Sequence, residues 1–525
     1  GTCKTDTGLC ECYTGFSSSD GSGTNTVGGV VYGNNGTGTT FQPGDNIDGG
    51  EGSDTLVLTS IAAVSSLAPA GSSVTGIESV AITSAGTVAA DTTDWTDVTT
   101  LTLVGIGNSS ATAATTTDVV AAVTAGDLAV TGGNGVTATS TAGDVTISGS
   151  AGDVVVVTTG DASISTSTGA IVATITAGDV TITTSEGAIA ASTTAGDMLI
   201  TTSEGDITAS TTAGDVTITT SEGDVTATST AGDVTIATAL GDVTATATAG
   251  AVTITGAAAD VTSSNGGGAV AITGAASINS TTTAQAANNV VVNGGTDVVV
   301  SAAGQTTGTI SVGATTAPSG SVSVSAAGGY ADADVTLGAI SVAGGTSVTV
   351  DVSTGITAAL AAAAIIDTTN NTIETGDVSV TGIAGTTAVS VSQPATVAAV
   401  DGVVESTSLV FGAVDMAAGD TLTIGGLTLT ATAAITPAAA AAGFASLAAA
   451  ATAGNTVTGG TWSGALTGFS TGALVGTTVV FTSSTGGPVT DLAVTAVKAE
   501  TTGSFVAGTA TTTTGVTGVI GVTSG

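Results

Sequence analysis

The chain has 525 residues, with 40 acidic side chains against two basic ones, no histidine, and a formal net charge of −38 at pH 7. The basic pair is Lys4 and Lys498, so nucleic acid has no cationic partner here and is excluded, as are Ser-His-Asp, Cys-His and His-ligated haem chemistry. Aromatic residues are only 2% while Ala, Val, Thr and Gly dominate, which predicts a long, thin core and does not match the composition of disorder.

Other classes fall on similar grounds. A lyase on a β-helix needs a basic proton acceptor, which the repeats lack. Paired carboxylates for glycoside hydrolysis could come from the repeated Asp residues, but no pair is singled out, so the chain reads as a non-enzyme. The most apolar run, ITAALAAAAII from Ile356, is shorter than the roughly 20 residues of a membrane-spanning helix. Too few aromatics exist for the girdles of an outer-membrane barrel. No secretory signal or initiating Met heads the sequence, so it is expected to begin after processing or to be a piece of a longer protein.

In chain order, residues 1–40 hold Cys3, Cys10 and Cys12. An odd set allows one internal disulfide with a thiol left over. An inter-subunit disulfide and incidental free cysteines are the alternatives. With no His nearby, zinc is not expected.

Residues 41–123 open on GDNIDGGEGSDTLVL. Within it, Gly49, Gly50, Glu51, Gly52, Ser53, Asp54 and the three residues after them fit the nonapeptide G-G-x-G-x-D-x-U-x of calcium-binding β-rolls. Glycines let carbonyls turn toward an ion, and carboxylates suit a hard cation. The predicted calcium ligands are Asp45, Asp48, Gly49, Gly50, Glu51, Gly52 and Asp54, against the alternative of a plain glycine-rich turn.

Residues 124–275 count in nines. Units of the type TAGDVTIT and SEGDVTAT alternate, which predicts a parallel β-solenoid of nine-residue half-coils, eighteen residues per coil. Gly214 is the corner, where glycine's backbone freedom is expected to matter. Val216 and Ile218 should point inward while Thr217 and Thr219 point out. In the partner unit Val225 and Ala227 should point inward, so a large residue meets a small one.

Stacking then aligns carboxylates. Asp179, Asp197, Asp215 and Asp233 form one predicted column, Asp206, Asp224 and Asp242 a second, and Glu186, Glu204 and Glu222 a third. Like charges about 4.8 Å apart repel by roughly 3 kcal/mol at an effective dielectric near 20, and by under about 1 kcal/mol in water. Two readings stay open: solvated corner carboxylates capping backbone amides, or columns that hold calcium. The repeats lack the doubled glycine of the nonapeptide, so the block reads foremost as a structural spacer with the surer metal site upstream.

Residues 276–402 carry further β phrases, among them TTAQAANNVVVNGGTDVVVS and VSVTGIAGTTAVSVSQ. With VTGIESVAITSAGTV upstream, this order resembles the calcium-dependent RTX S-layer proteins of Gram-negative bacteria, the Caulobacter type. The resemblance covers about residues 41 to 120 and 275 to 400. It implies export by a type I system, calcium-triggered folding and assembly into a cell-surface lattice.

Residues 403–525 read as a small α+β or β-sandwich module. Thr436 is a predicted helix N-cap with Pro437 at the first helical position and Gly454 ending the run. Phe444, Trp462, Phe469 and Phe481 are the predicted core. The chain as a whole is therefore expected to be all-β.

The function expected from these features is that of a secreted, extracellular, cell-surface structural protein. It would assemble with itself into a layer or filament, stabilised by calcium, with cell-surface polysaccharide as a further partner and no membrane span. The alternative is an adhesin stalk or ice-binding protein that uses the stacked outward threonines.

Overall fold

A computed structural model describes residues 9–11, 26–30, 46–63, 73–499 and 506–524, apart from positions 167, 185, 203, 221, 239, 275, 366 and 368. Cys3, Cys12 and Asp45 lie outside the described residues. Cys10 falls in strand Leu9–Glu11, which pairs in parallel with Thr26–Val30. Two compact units form. One comprises Gly1–Ala326, Ala339–Asp351 and Val378–Val391; the other comprises Ala327–Gly338, Val352–Asp377 and Ser392–Gly525.

The first unit is a parallel β-solenoid with two ladders. One ladder climbs from Thr55–Ser60 through Ser79–Ser84 and Thr100–Gly105 to Ile278–Thr282 and Val298–Gln305. The other climbs from Val88–Asp91 through Ser109–Ala113 to Ile340–Ala343 and Val378–Thr381. Pairing continues without a break past residue 123, where Val119 meets Val136, and past residue 275, where Val270 meets Val290. In the middle, equivalent corner residues are 17 or 18 apart. Toward either end they reach 24, the extra residues being taken up in the corners.

The interior follows the alternation of the strands. In Val216–Thr220, Val216, Ile218 and Thr220 are buried and Thr219 is exposed. The central inward column of this ladder is Ile182, Ile200, Ile218, Ile236 and Ile254; that of the other is Ala173, Ala191, Ala209, Ala227 and Ala245. All ten are buried. The predicted large and small inward residues thus hold over five successive coils of a thin core.

One inward position did not follow from simple apolar patterning. From strand Val180–Thr184 through Val225–Ser229, the fifth residue is a hydroxyl that turns inward. Thr184, Thr202 and Thr220 donate to the carbonyls of Glu186, Glu204 and Glu222 at 2.6, 2.6 and 2.7 Å. In the other half-coil, Thr193, Thr211 and Ser229 donate to the carbonyls of Gly178, Gly196 and Gly214 at 3.2, 3.3 and 3.0 Å. These bonds satisfy corner carbonyls that the ladder cannot reach.

The second unit is built differently. Helix Ala358–Ala364, capped by the Thr357 hydroxyl, occupies the apolar run of the sequence. Among the described residues no helix is long and apolar enough to cross a membrane. Strand Thr372–Thr375 pairs in parallel with both Val335–Thr336 and Gly521–Ser524. The C-terminal module has two four-stranded antiparallel sheets. One orders Phe469–Thr471, Thr478–Gly486, Val404–Val410 and Thr509–Thr513; the other orders Gly460–Gly464, Leu427–Ala431, Thr421–Ile424 and Val494–Val497. Phe444 and Phe481 are fully buried, and Trp462 packs edge-on to Phe444 at 4.9 Å.

The helix there is shorter than the sequence predicts. Thr436 and Pro437 do begin it, but it spans Pro437–Phe444 and ends at Ala445, well before Gly454. The backbone beyond is bonded elsewhere: Ser446 N–H donates to Gly472, Leu447 N–H to the Thr471 hydroxyl, and Ala450 N–H to Leu466. Tertiary partners win over the helix propensity of the alanines.

Candidate functional site

The corners carry the chain's charge, and their geometry starts with glycine. Each corner glycine stacks on the one a coil below. A Cβ on Gly205 would lie 2.2 Å from the Gly187 carbonyl oxygen, and one on Gly214 would lie 2.0 Å from that of Gly196. Gly214 itself has φ 158°, within the positive range that side chains rarely adopt. Close approach of stacked backbones adds to the backbone angle expected from the sequence, and at Gly205 and Gly223 φ is 109° and 108°, so both demands call for glycine at these corners.

Past each glycine, an amide needs an acceptor. Asp197 N–H donates to Asp179 Oδ1 at 2.9 Å, Asp215 N–H to Asp197 Oδ1 at 2.9 Å, and Asp233 N–H to Asp215 Oδ1 at 2.8 Å. In the second column Asp224 N–H donates to Asp206 Oδ1 at 3.0 Å and Asp242 N–H to Asp224 Oδ1 at 2.9 Å. These carboxylates are exposed, so the low, water-like end of the repulsion applies and charge-assisted hydrogen bonds offset it. Glu186, Glu204 and Glu222 are exposed as well; their carbonyls, not their carboxylates, take the threonine hydroxyls.

The acceptor matters more than the charge. Asn108 Oδ1 receives Asp127 N–H and Asn289 Oδ1 receives Thr309 N–H, both at 3.0 Å, at equivalent corners. Asp297 receives both the hydroxyl and the amide of Ser321, at 2.6 and 2.7 Å. Those bonds, the hydroxyl's foremost, hold its carboxyl below the ordinary Asp range. We expect Asp215→Asn to leave stability within about 0.5 kcal/mol of the parent, while Asp215→Ala, which strands the Asp233 amide, costs about 1 kcal/mol. Urea midpoints of the two variants check this.

The glycine-rich turn is a separate place. Gly50 and Gly52 have φ of 84° and 132°, and a Cβ on Gly49 would meet the Gly76 carbonyl oxygen at 2.0 Å. Asp48 Oδ1 accepts Gly50 N–H at 3.1 Å. Asp54 is 1% exposed, and its N–H donates to Glu78 Oε2 at 2.7 Å. The turn thus gathers Asp48, Gly49, Gly50 and Asp54 and leaves Glu51 and Gly52 exposed.

Two acidic residues of this neighbourhood were missed from sequence. Glu78 reaches it from one coil on, and Asp97 Oδ2 accepts Gly76 N–H at 3.3 Å. The signal available was register: the phrase GIE places Glu78 at the position Asp54 holds in the preceding coil, since Thr55 pairs with Ser79. Among the described residues no three His, Cys, Asp or Glu side chains converge as a metal-binding group.

The outward faces of the strands carry little charge. Thr208, Thr226, Thr244 and Thr262 form an exposed column. On the other ladder the column Thr181, Leu199, Thr217 is interrupted by Leu199, which is 45% exposed. No protein-family model, curated protein or solved structure matches the chain.

Proposed function

We propose that this chain is a secreted structural protein that assembles with itself, end to end, into a cell-surface layer or extracellular filament. The observation that carries the reading is the last coil of the solenoid. Strand Val378–Thr381 is the edge of its ladder among the described residues. In strand Ala388–Ser392 of the same coil, Val389 and Val391 are 52% and 45% exposed, with Ile383 at 39% between the two strands. An uncovered strand edge beside bare apolar side chains is a template for further pairing. A solenoid offers such an edge because each coil is completed only by its neighbours.

Lysine on an edge strand is a natural way to blunt it. We expect Val389→Lys combined with Val391→Lys to keep the parent's circular dichroism and to leave single particles in negative stain where the parent forms polymers. Polymers of unchanged length would rule out this end as the contact.

Calcium completes the reading. Around the glycine-rich turn the donors are oxygens only, glycine carbonyls and the carboxylates of Asp48, Asp54 and Glu78, which do not converge as a group of three; such oxygens suit a hard cation. The cation would also offset part of the net charge of −38. Side-chain ligands alone are too few to enclose an ion, so carbonyls and water would have to supply the remainder. The likeness of the sequence to RTX S-layer proteins supports the same ion and an extracellular, cell-surface location. Excess chelator should loosen or disassemble the polymer; particles that keep their mass and circular dichroism in chelator would remove calcium from the account. Leu199 standing in the threonine column of one ladder argues against an ice-binding plane on that face.

A further inference from the structure

One stretch of the solenoid interior gathers inward polar side chains with oxygens left unbonded, where the inward hydroxyls of earlier coils bond carbonyls. Ser263, Asn265, Ser280 and Thr282 point inward on two adjacent strands, Val261–Asn265 and Ile278–Thr282, and Gln285 follows just beyond. None is more than 1% exposed. Ser263 pairs with Ser280, and Asn265 with Thr282. Among the described residues, Ser263 Oγ, Ser280 Oγ, Thr282 Oγ1, Asn265 Oδ1 and Gln285 Oε1 have no hydrogen-bond partner.

The neighbouring coils show what this stretch departs from. In the Ser263–Ser280 column, the coils before and after carry Ala227, Ala245 and Val300. In the Asn265–Thr282 column they carry Ser229, Ala247 and Ala302. Ser229 there is satisfied by the Gly214 carbonyl, as are the inward threonines of earlier coils by theirs. Apolar residues fit this fold at the same positions, so the polar layer is not something the fold requires.

We propose that this layer is a built site for ordered internal water. Neither Ser263 with Ser280 nor Asn265 Oδ1 with Thr282 is bonded across the strands, and the strand spacing of about 4.8 Å suits a bridging molecule between them. Three hydroxyls can donate or accept, and two amide oxygens accept only. That set matches water, which donates two bonds and accepts two. Buried water typically makes about three bonds to polar groups that would otherwise go unmet. The Asn265 amide keeps its own anchor, since Nδ2 donates to the Gly250 carbonyl at 2.8 Å, which leaves Oδ1 turned to the layer.

Water magnetic relaxation dispersion on the full chain counts long-lived waters and tests the site. The variant Ser263→Ala/Ser280→Ala/Thr282→Val should lose at least one long-lived water relative to the parent. The control Ser229→Ala, which breaks a bond to a backbone carbonyl, should keep the count. An unchanged count in the folded triple variant overturns the proposal. So does a dispersion that changes when sodium replaces potassium, because the occupant is then a cation. If the triple variant does not fold, the parent alone decides. Water-to-amide nuclear Overhauser effects at Ser263 and Ser280 support the site, and their absence overturns it.

Discussion

Gly205→Ala is expected to lower stability by about 3 kcal/mol, as overpacking against a backbone that cannot move aside adds to an unfavourable φ. The new Cβ would sit 2.2 Å from the Gly187 carbonyl oxygen and 2.6 Å from its carbon. Gly205 also has φ 109°, where side chains are rarely tolerated. Relief by shifting the lower coil is blocked, because Gly187 is stacked in the same way on Gly169, 2.3 Å from the corresponding Cβ position. Gly385→Ala is the control. Its Cβ would meet nothing closer than a Thr346 methyl at 3.7 Å, so its change should stay within about 0.5 kcal/mol. Denaturant midpoints of the two variants, compared with the parent, decide the matter; equal losses would mean that corner stacking is not what the glycines serve.

Ile218→Ala is expected to cost about 2–5 kcal/mol, the usual loss when a large core side chain is cut to alanine. Ile218 is 0% exposed and is stacked between Ile200 and Ile236. The core is thin, and the facing column is alanine, so few side chains can lean in to fill the gap. Because coils contact mainly their neighbours, the defect should act locally. Hydrogen exchange should rise most for the amides of Met198–Thr202, Val216–Thr220 and Val234–Thr238 and little in the C-terminal module. Thr219→Ala on the exposed face of the same strand should change stability by no more than about 0.5 kcal/mol. A loss at Ile218 no greater than at Thr219 would contradict the assigned inward and outward faces.

The corners and the glycine-rich turn were legible to different depths. The Asp columns could be placed from the eighteen-residue period alone, but what the carboxylates bond could not. The acceptor role appears only when Asp215 N–H is seen on Asp197 Oδ1, eighteen residues away in sequence. Glu78 joined the turn for a similar reason. Its carboxylate meets the Asp54 amide across 24 residues, in a corner longer than the repeat would suggest.

By itself, the sequence determined the solenoid, its period and which strand residues face inward. Those follow from short-range alternation copied at a constant interval, so one unit implies the next. Tertiary structure alone decided the inward hydroxyl at the fifth strand position, the amide-capping role of the Asp columns and the end of the helix at Phe444. It also decided that Val389 and Val391 are left bare. Each of these depends on a partner a coil away or farther: a corner carbonyl, an amide above, a strand that captures the alanine-rich backbone, or a coil that does not follow. No local pattern encodes such a partner, because it is set by what stacks there and not by the residues beside it in the chain.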